Sequence, residues 1–339
     1  MSQNLSVLGR QKMNEFVANT AKAYGVQPGE TYAATPSVAQ TLNDKIIVDG
    51  NWLLTLVNVL GVGELKGEKI LMGLTSSVTG RTDTSSTGER TPRNLVGLDT
   101  KGYELFATES DVAITYAQID TWAKFKDFAD RYNRMVRRAI GNDRVKIGWH
   151  GTSVATTTNM GTNVNLEDVN KGWLQLLREY NSGAQVVTGT VGTPIVLGGT
   201  DFPNLDTLVF DCLNRIEEQH RDDPDLVVMI SRDIMQAAKG TYFESQGNTP
   251  TEKEKLRERM VVETYGSLPA YVPPYFPAGT ILVTSFENLS IYYQDDSWRR
   301  QVKDKPEKNR YENFNSRNEG YVLEHEGKAS LIEGITFPE

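Results

Sequence analysis

The chain has 339 residues, enough for a large buried core and for two subdomains rather than one. Its 36 Lys and Arg against 44 Asp and Glu give a formal charge of −8, which argues against a protein whose main task is to grip nucleic acid. Cys212 is the only cysteine, so no disulfide forms within the chain, and a reducing cytoplasm is the expected compartment. The N-terminus lacks an apolar core of signal-peptide length, and there is no run of about 18 apolar residues, so neither classical secretion nor a membrane partner is expected.

In chain order, Met1–Tyr24 carries Leu5, Leu8, Met13, Phe16, Val17 and Tyr24 at helical spacing, with Gly25 as a stop. An amphipathic helix is predicted, followed by a connector over Val26–Pro36 with Pro28, Gly29 and Pro36. Such a helix is either an arm that docks elsewhere or a helix packed on its own domain. Asn51–Val62 is an apolar run expected to be buried. Lys69–Leu74 and Tyr103–Thr108 read as strands flanking Thr75–Gly97, where Thr, Ser, Gly and Arg dominate. That pattern predicts a hairpin too long to fold back on its own domain. Val112–Tyr116 is a further short strand.

Gln118–Ile140 gives the clearest helical pattern, with Trp122, Phe125, Phe128 or Ala129, Tyr132, Met135 or Val136 and Ile140 on one stripe. Gly141 and Asn142 supply its stop signal. Lys124, Lys126, Arg131, Arg134, Arg137 and Arg138 line the remaining face. A polar loop over Gly151–Asn165 precedes a short helix around Trp173, Leu174 and Leu177, and Val186–Thr200 reads as a flexible or β-hairpin excursion. Leu205–Gln219 is predicted helical with Cys212 inward, and Asp225–Ser231 is a strand buried on both faces. Helices are expected from Ile234 and over Thr251–Val262.

The stretch Gly266–Arg300 opens with Pro269, Pro273, Pro274 and Pro277, which hold an extended path. Ile281–Thr284 and Leu289–Tyr293 then read as strands, with a turn at Phe286–Asn288 tight enough for a hairpin. Finally, Gly320–Leu323 and Ala329–Phe337 are expected to return as strands to the first subdomain.

Signatures of chemistry are weak. The glycines Gly61, Gly63 and Gly67 fit neither dinucleotide nor phosphate-loop spacing. His150, His220 and His325 are scattered, so no zinc site and no cofactor are predicted. Asp222, Asp223 and Asp225 are explained by turn chemistry around Pro224, although an α+β enzyme with an acidic site there is one rival reading.

Five blocks carry a resemblance: Leu268–Arg300 (LPAYVPPYFPAGTILVTSFENLSIYYQDDSWRR), Thr35–Leu42 (TPSVAQTL), Lys66–Ile70 (KGEKI), Gly172–Gln175 (GWLQ) and Asp222–Val228 (DDPDLVV). Taken in their order along the chain, they resemble major capsid proteins of P2-like tailed bacteriophages, the peduovirus type. The resemblance implies an α+β, HK97-type major capsid fold with an N-terminal arm, extended hairpin loop, long spine helix, and peripheral and axial subdomains. It implies residues 1–50 as the arm, 64–108 as the extended loop and 166–319 as the axial domain. The peripheral domain would comprise 51–63, 109–165 and 320–339, with the spine helix at 118–140. Arg81, Asp83, Glu89, Arg90 and Arg93 would then be charges crossing between subunits. Arg131, Arg134 and Arg138 form a basic face that is either solvated or turned to packaged DNA or an acidic neighbour. Glu30, Thr31, Tyr32, Ala33 and Ala34 mark the exposed place for a maturation cut. The implied function is self-assembly into pentamers and hexamers of an icosahedral head, put together in the host cytoplasm. A scaffolding protein, a portal and a maturation protease are the implied partners, and double-stranded DNA, held without sequence preference, is the cargo. An encapsulin-like shell protein is the second rival.

Overall fold

Two β-sheets organise the chain, and the stretch from Gly266 to Arg300 passes from one to the other. The computed structural model describes residues 5–24, 27, 32–74, 96–190, 193–199, 202–238 and 264–337. Helix α1 (Val7–Tyr24) is followed by β1 (Tyr32–Ala33), α2 (Pro36–Asp49), β2 (Asn58–Val62), β3 (Lys66–Leu74) and β4 (Val96–Glu104). Then come β5 (Phe106–Glu109), β6 (Val112–Thr115), α3 (Tyr116–Trp122), α4 (Phe128–His150) and α5 (Trp173–Glu179). The middle of the chain supplies β7 (Val186–Thr188), β8 (Ile195–Val196), α6 (Leu205–Arg215) and β9 (Val227–Ile230). The last part holds β10 (Thr264–Tyr265), β11 (Leu268–Tyr271), β12 (Ile281–Thr284) and β13 (Leu289–Gln294). It ends with β14 (Arg299–Lys305), β15 (Arg310–Leu323), β16 (Ser330–Glu333) and β17 (Ile335–Thr336). The helix expected over Thr251–Val262 lies outside the described residues.

The first sheet runs β1–β14–β15–β13–β2, and β5 and β6 also pair with the long β15. The second runs β10–β11–β9–β12–β16–β7. The expected hairpin between β12 and β13 does not form. Leu282 of β12 pairs with Met229 and Leu331, whereas Ile291 of β13 pairs with Tyr321 and Val59. Both strands are buried on both faces, so each is covered by flanking strands on either side instead of by the other. The 3₁₀ turn Phe286–Asn288 hands the chain across. Asn288 fixes that passage: its Nδ2 donates to Thr284 Oγ1 and to the His325 carbonyl, each at 2.9 Å, and its Oδ1 accepts from the His325 N–H at 2.6 Å.

The expected single helix over 118–140 is two helices. Thr115 and Gln118 form a reciprocal capping box at the start of α3, and residues 123–127 separate α3 from α4. Gly141 does not end α4, which continues to His150. A Cβ at position 141 would lie 3.0 Å from Gly50 Cα, so the missing side chain serves the close approach of the two backbones. Phe128, Tyr132, Val136 and Ile140 are buried as their spacing predicts, while Trp122, Phe125 and Met135 stay exposed.

The C-terminal strands also depart from expectation. β15 joins the first sheet, but β16 inserts between β12 and β7 of the second. The chain therefore enters each sheet more than once, and contiguous segments do not separate them. One core joins the two sheets, packing Trp149 of α4 and Trp173 of α5 against Met229, Leu282, Ile291 and Tyr321. The Trp149 and Trp173 rings meet edge-on at 5.0 Å, and Trp173 Nε1 donates to the Ser290 carbonyl at 2.9 Å. A second core holds Leu205, Leu208, Val209 and Cys212 of α6 against β9 and β12. A third lies among α1, α2 and α4.

Candidate assembly surfaces

The hairpin β3–β4 is antiparallel over nine pairs, from Lys66 with Glu104 to Leu74 with Val96. Arg81, Asp83, Glu89, Arg90 and Arg93 lie outside the described residues. Its root is fixed to the first sheet. The Leu105 N–H donates to the Leu65 carbonyl at 2.9 Å, and Leu105 is buried beside Tyr292 and Val322. Tyr103 meets Tyr292 edge-on at 5.1 Å. Lys69 Nζ reaches the carbonyls of Leu323 and Glu324, the latter at 2.9 Å, with the Glu326 carboxylate at 3.8 Å.

Helix α1 packs on its own chain. Leu5, Met13 and Phe16 are buried with Ile119 and Tyr132, and the Phe16 and Tyr132 rings meet at 5.6 Å. Ser6 Oγ donates to Asp120 Oδ1 at 2.5 Å. Glu30 and Thr31 lie outside the described residues, but Tyr32–Ala33 pairs with Arg299–Arg300 as β1. Ala34 is buried and its N–H donates to the Trp298 carbonyl at 2.7 Å. The sequence suggests an exposed connector here; the backbone of Tyr32–Ala33 is paired at the edge of the first sheet, and Ala34 is buried beside it.

On α4, Arg131, Arg134 and Arg138 are exposed. Asp127 pairs with Arg131 at 2.6 Å, and Asp49 lies 4.0 Å from Arg134 and 2.6 Å from Arg137. The basic face is thus partly neutralised by its own chain. Screened pairs of this kind add little stability.

Sequence reading missed a buried ionic cluster between α4 and β15. Arg144, Arg317 and Glu319 are all buried, and both guanidinium groups donate to Glu319 Oε1. Asn43 of α2 accepts from Arg144 at 2.7 Å, and Tyr321 Oη donates to the Arg144 carbonyl at 2.9 Å. Burial alone would raise the Glu319 pKa, but Arg144 and then Arg317 outweigh it and hold the carboxyl at about 2. The available signal was the i, i+2 spacing of Arg317 and Glu319, which puts both on one face of a strand.

The residues considered for chemistry have structural partners. Burial pushes the Cys212 thiol up to about 12, far from the reactive range. Lys328 pairs with Asp223 at 3.0 Å and Asp225 at 2.8 Å. Among the described residues, no three metal-ligating side chains gather. No described helix is long and apolar enough to cross a membrane.

Comparison with known proteins gives the family. The family model described as "Phage major capsid protein, P2 family" matches residues 12–335. This chain belongs to that family. It is 35% identical to the "Capsid proteins" of Escherichia phage P2, over 96% of this chain and 94% of the relative. The major capsid protein of Serratia phage KSP20 is 30% identical, covering 97% of each chain. Among solved structures, a chain of the satellite phage P4 procapsid that includes the size determination (Sid) protein superposes with a TM-score of 0.70 at 34% identity. That match covers 88% of this chain and 99% of the other. The fold is the HK97-type capsid fold. The protein is a major capsid protein that self-associates into the icosahedral head of a P2-like phage, and it is not an enzyme. Family membership over nearly the whole chain also sets aside the encapsulin-like reading.

Proposed function

We propose that copies of this chain meet as pentamers and hexamers, with the hairpin β3–β4 laid over a neighbouring subunit. The observation that carries this reading is the hairpin itself: nine paired residues per strand, held to the body at its root through Leu65, Lys69, Tyr103 and Leu105. At ~3.3 Å rise per residue, each arm extends about 30 Å. The tip charges Arg81, Asp83, Glu89, Arg90 and Arg93 would then cross the subunit boundary. The unit built on the second sheet with α6 takes the axial role, around the symmetry centres. The first sheet with α4 takes the peripheral role, and α1 with its connector serves as the arm.

A scaffolding protein, a portal and a maturation protease complete the assembly, in the host cytoplasm. Tyr32–Ala33 is paired as β1 and Ala34 is buried, which supports a maturation cut at Glu30–Thr31 or further toward the N-terminus. Double-stranded DNA inside the head is contacted without sequence preference, with Arg131, Arg134 and Arg138 facing it. The net charge of −8 keeps that contact weak. Negative-stain electron microscopy of the purified chain, alone and with its scaffolding protein, tests the reading. Closed shells built of rings of five and six are expected. A monodisperse single chain under both conditions would contradict it.

A further inference from the structure

Residues 51–65 depart from the rule that apolar side chains are covered. The run Asn51–Val62 reads as buried, and Leu53, Leu54 and Val57 are. Trp52, Leu56, Leu60 and Leu65, however, are exposed at 42%, 40%, 45% and 47%. β2 occupies one edge of the first sheet and, among the described strands, pairs only with β13, so no described strand pairs with its outer row of N–H and C=O groups. Proteins that stay single protect such an edge with charge, proline or a bulge. Residues 51–63 contain no Asp, Glu, Lys, Arg or Pro. Beside the edge, Trp52 stands in an aromatic triangle with Tyr271 at 6.1 Å and Phe286 at 6.2 Å, and the latter two meet at 5.0 Å.

We infer that the open edge of β2, with Trp52, Leu56, Leu60 and Leu65 along it, is a contact surface for a second copy of this chain. This rests on the shell reading above and adds to it a named surface outside the hairpin tip and the basic face. Charge selects the occupant. Each copy carries −8, so like-charged copies meet best through a stretch without ionised groups. A basic partner would instead seek acidic surface. Apolar and aromatic composition with depleted charge also marks the centre of a protein–protein interface.

The test compares hydrogen–deuterium exchange of the full chain in assembled particles and after dissociation, alongside Leu60→Lys and Leu60→Val. Those amides of residues 58–62 that point away from β13 are expected to exchange at least about tenfold more slowly in particles. Leu60→Lys, at an exposed position, should keep the far-UV circular dichroism and melting temperature of the single chain, yet yield at least about tenfold fewer particles. Leu60→Val should assemble like the wild type. Equal exchange in both states, or Leu60→Lys assembling normally, would overturn the inference. So would protection of the outward amides already present in the dissociated chain, which would mean that the chain covers its own edge. A wild-type chain that forms no particles would overturn the shell reading, and this inference with it.

Discussion

The α4–β15 junction and the β2 edge invert the usual distribution of side chains. At the junction, Arg144, Arg317 and Glu319 are 0%, 2% and 1% exposed. Both guanidinium groups donate to Glu319 Oε1 and Arg144 also to Asn43, while Arg144 Nη1 and Glu319 Oε2 have no partner among the described residues. Along residues 52–65, large apolar side chains remain open to solvent. Burying charge is tolerable only where partners are fixed in place, and here the opposite charges come from one chain. Exposed apolar surface on an unprotected edge is tolerable only where something later covers it. The comparison separates what one copy finishes by itself from what sister copies finish for it.

The sharpest way to break the first half is Glu319→Ala. Removing the carboxylate leaves two buried guanidinium groups facing each other, and a loss of about 3–5 kcal/mol is expected, read by urea denaturation of the dissociated chain. The same group predicts an acid limb. Its folded pKa of about 2 lies below the ordinary 4.5, so its contribution is complete above pH 4.5 and is lost as pH falls from there toward 2. Stability measured from pH 6 down to pH 3 should fall more steeply in the wild type than in Glu319→Ala, and parallel curves would rule out this role for Glu319.

Parts of this were legible in the sequence. The stripe of α4, the buried strand β9 and the inward Cys212 followed from apolar spacing alone, because burial there is local to one element. The resemblance carried the fold and the function. What spacing could not supply was non-local. Gly141 looked like a stop until Gly50 was placed against it, and two short apolar runs separated by a tight turn looked like a hairpin until each found partners in a different sheet. The ionic cluster was hidden for the same reason, since Arg144 and Glu319 are 175 residues apart.

Gly148→Ala sharpens the comparison at intermediate size. A methyl group there would run into the Trp173 ring, so overpacking of about 1–3 kcal/mol is expected in thermal denaturation of the single chain. Replacing Arg131, Arg134 and Arg138 together with Gln should change single-chain stability least, by within about 0.5 kcal/mol. Its effect should appear instead as weaker salt dependence of DNA retention in filled heads. An unchanged salt slope would remove this face from contact with DNA.

The most direct test of the division between interior and surface is a side-chain-resolution electron cryomicroscopy map of the assembled head. The account predicts that every copy keeps Arg144, Arg317 and Glu319 together within itself, while Trp52, Leu56 and Leu60 lie against a different copy. A map in which that surface faces solvent throughout the shell, or in which the ionic cluster is assembled from two chains, would contradict it.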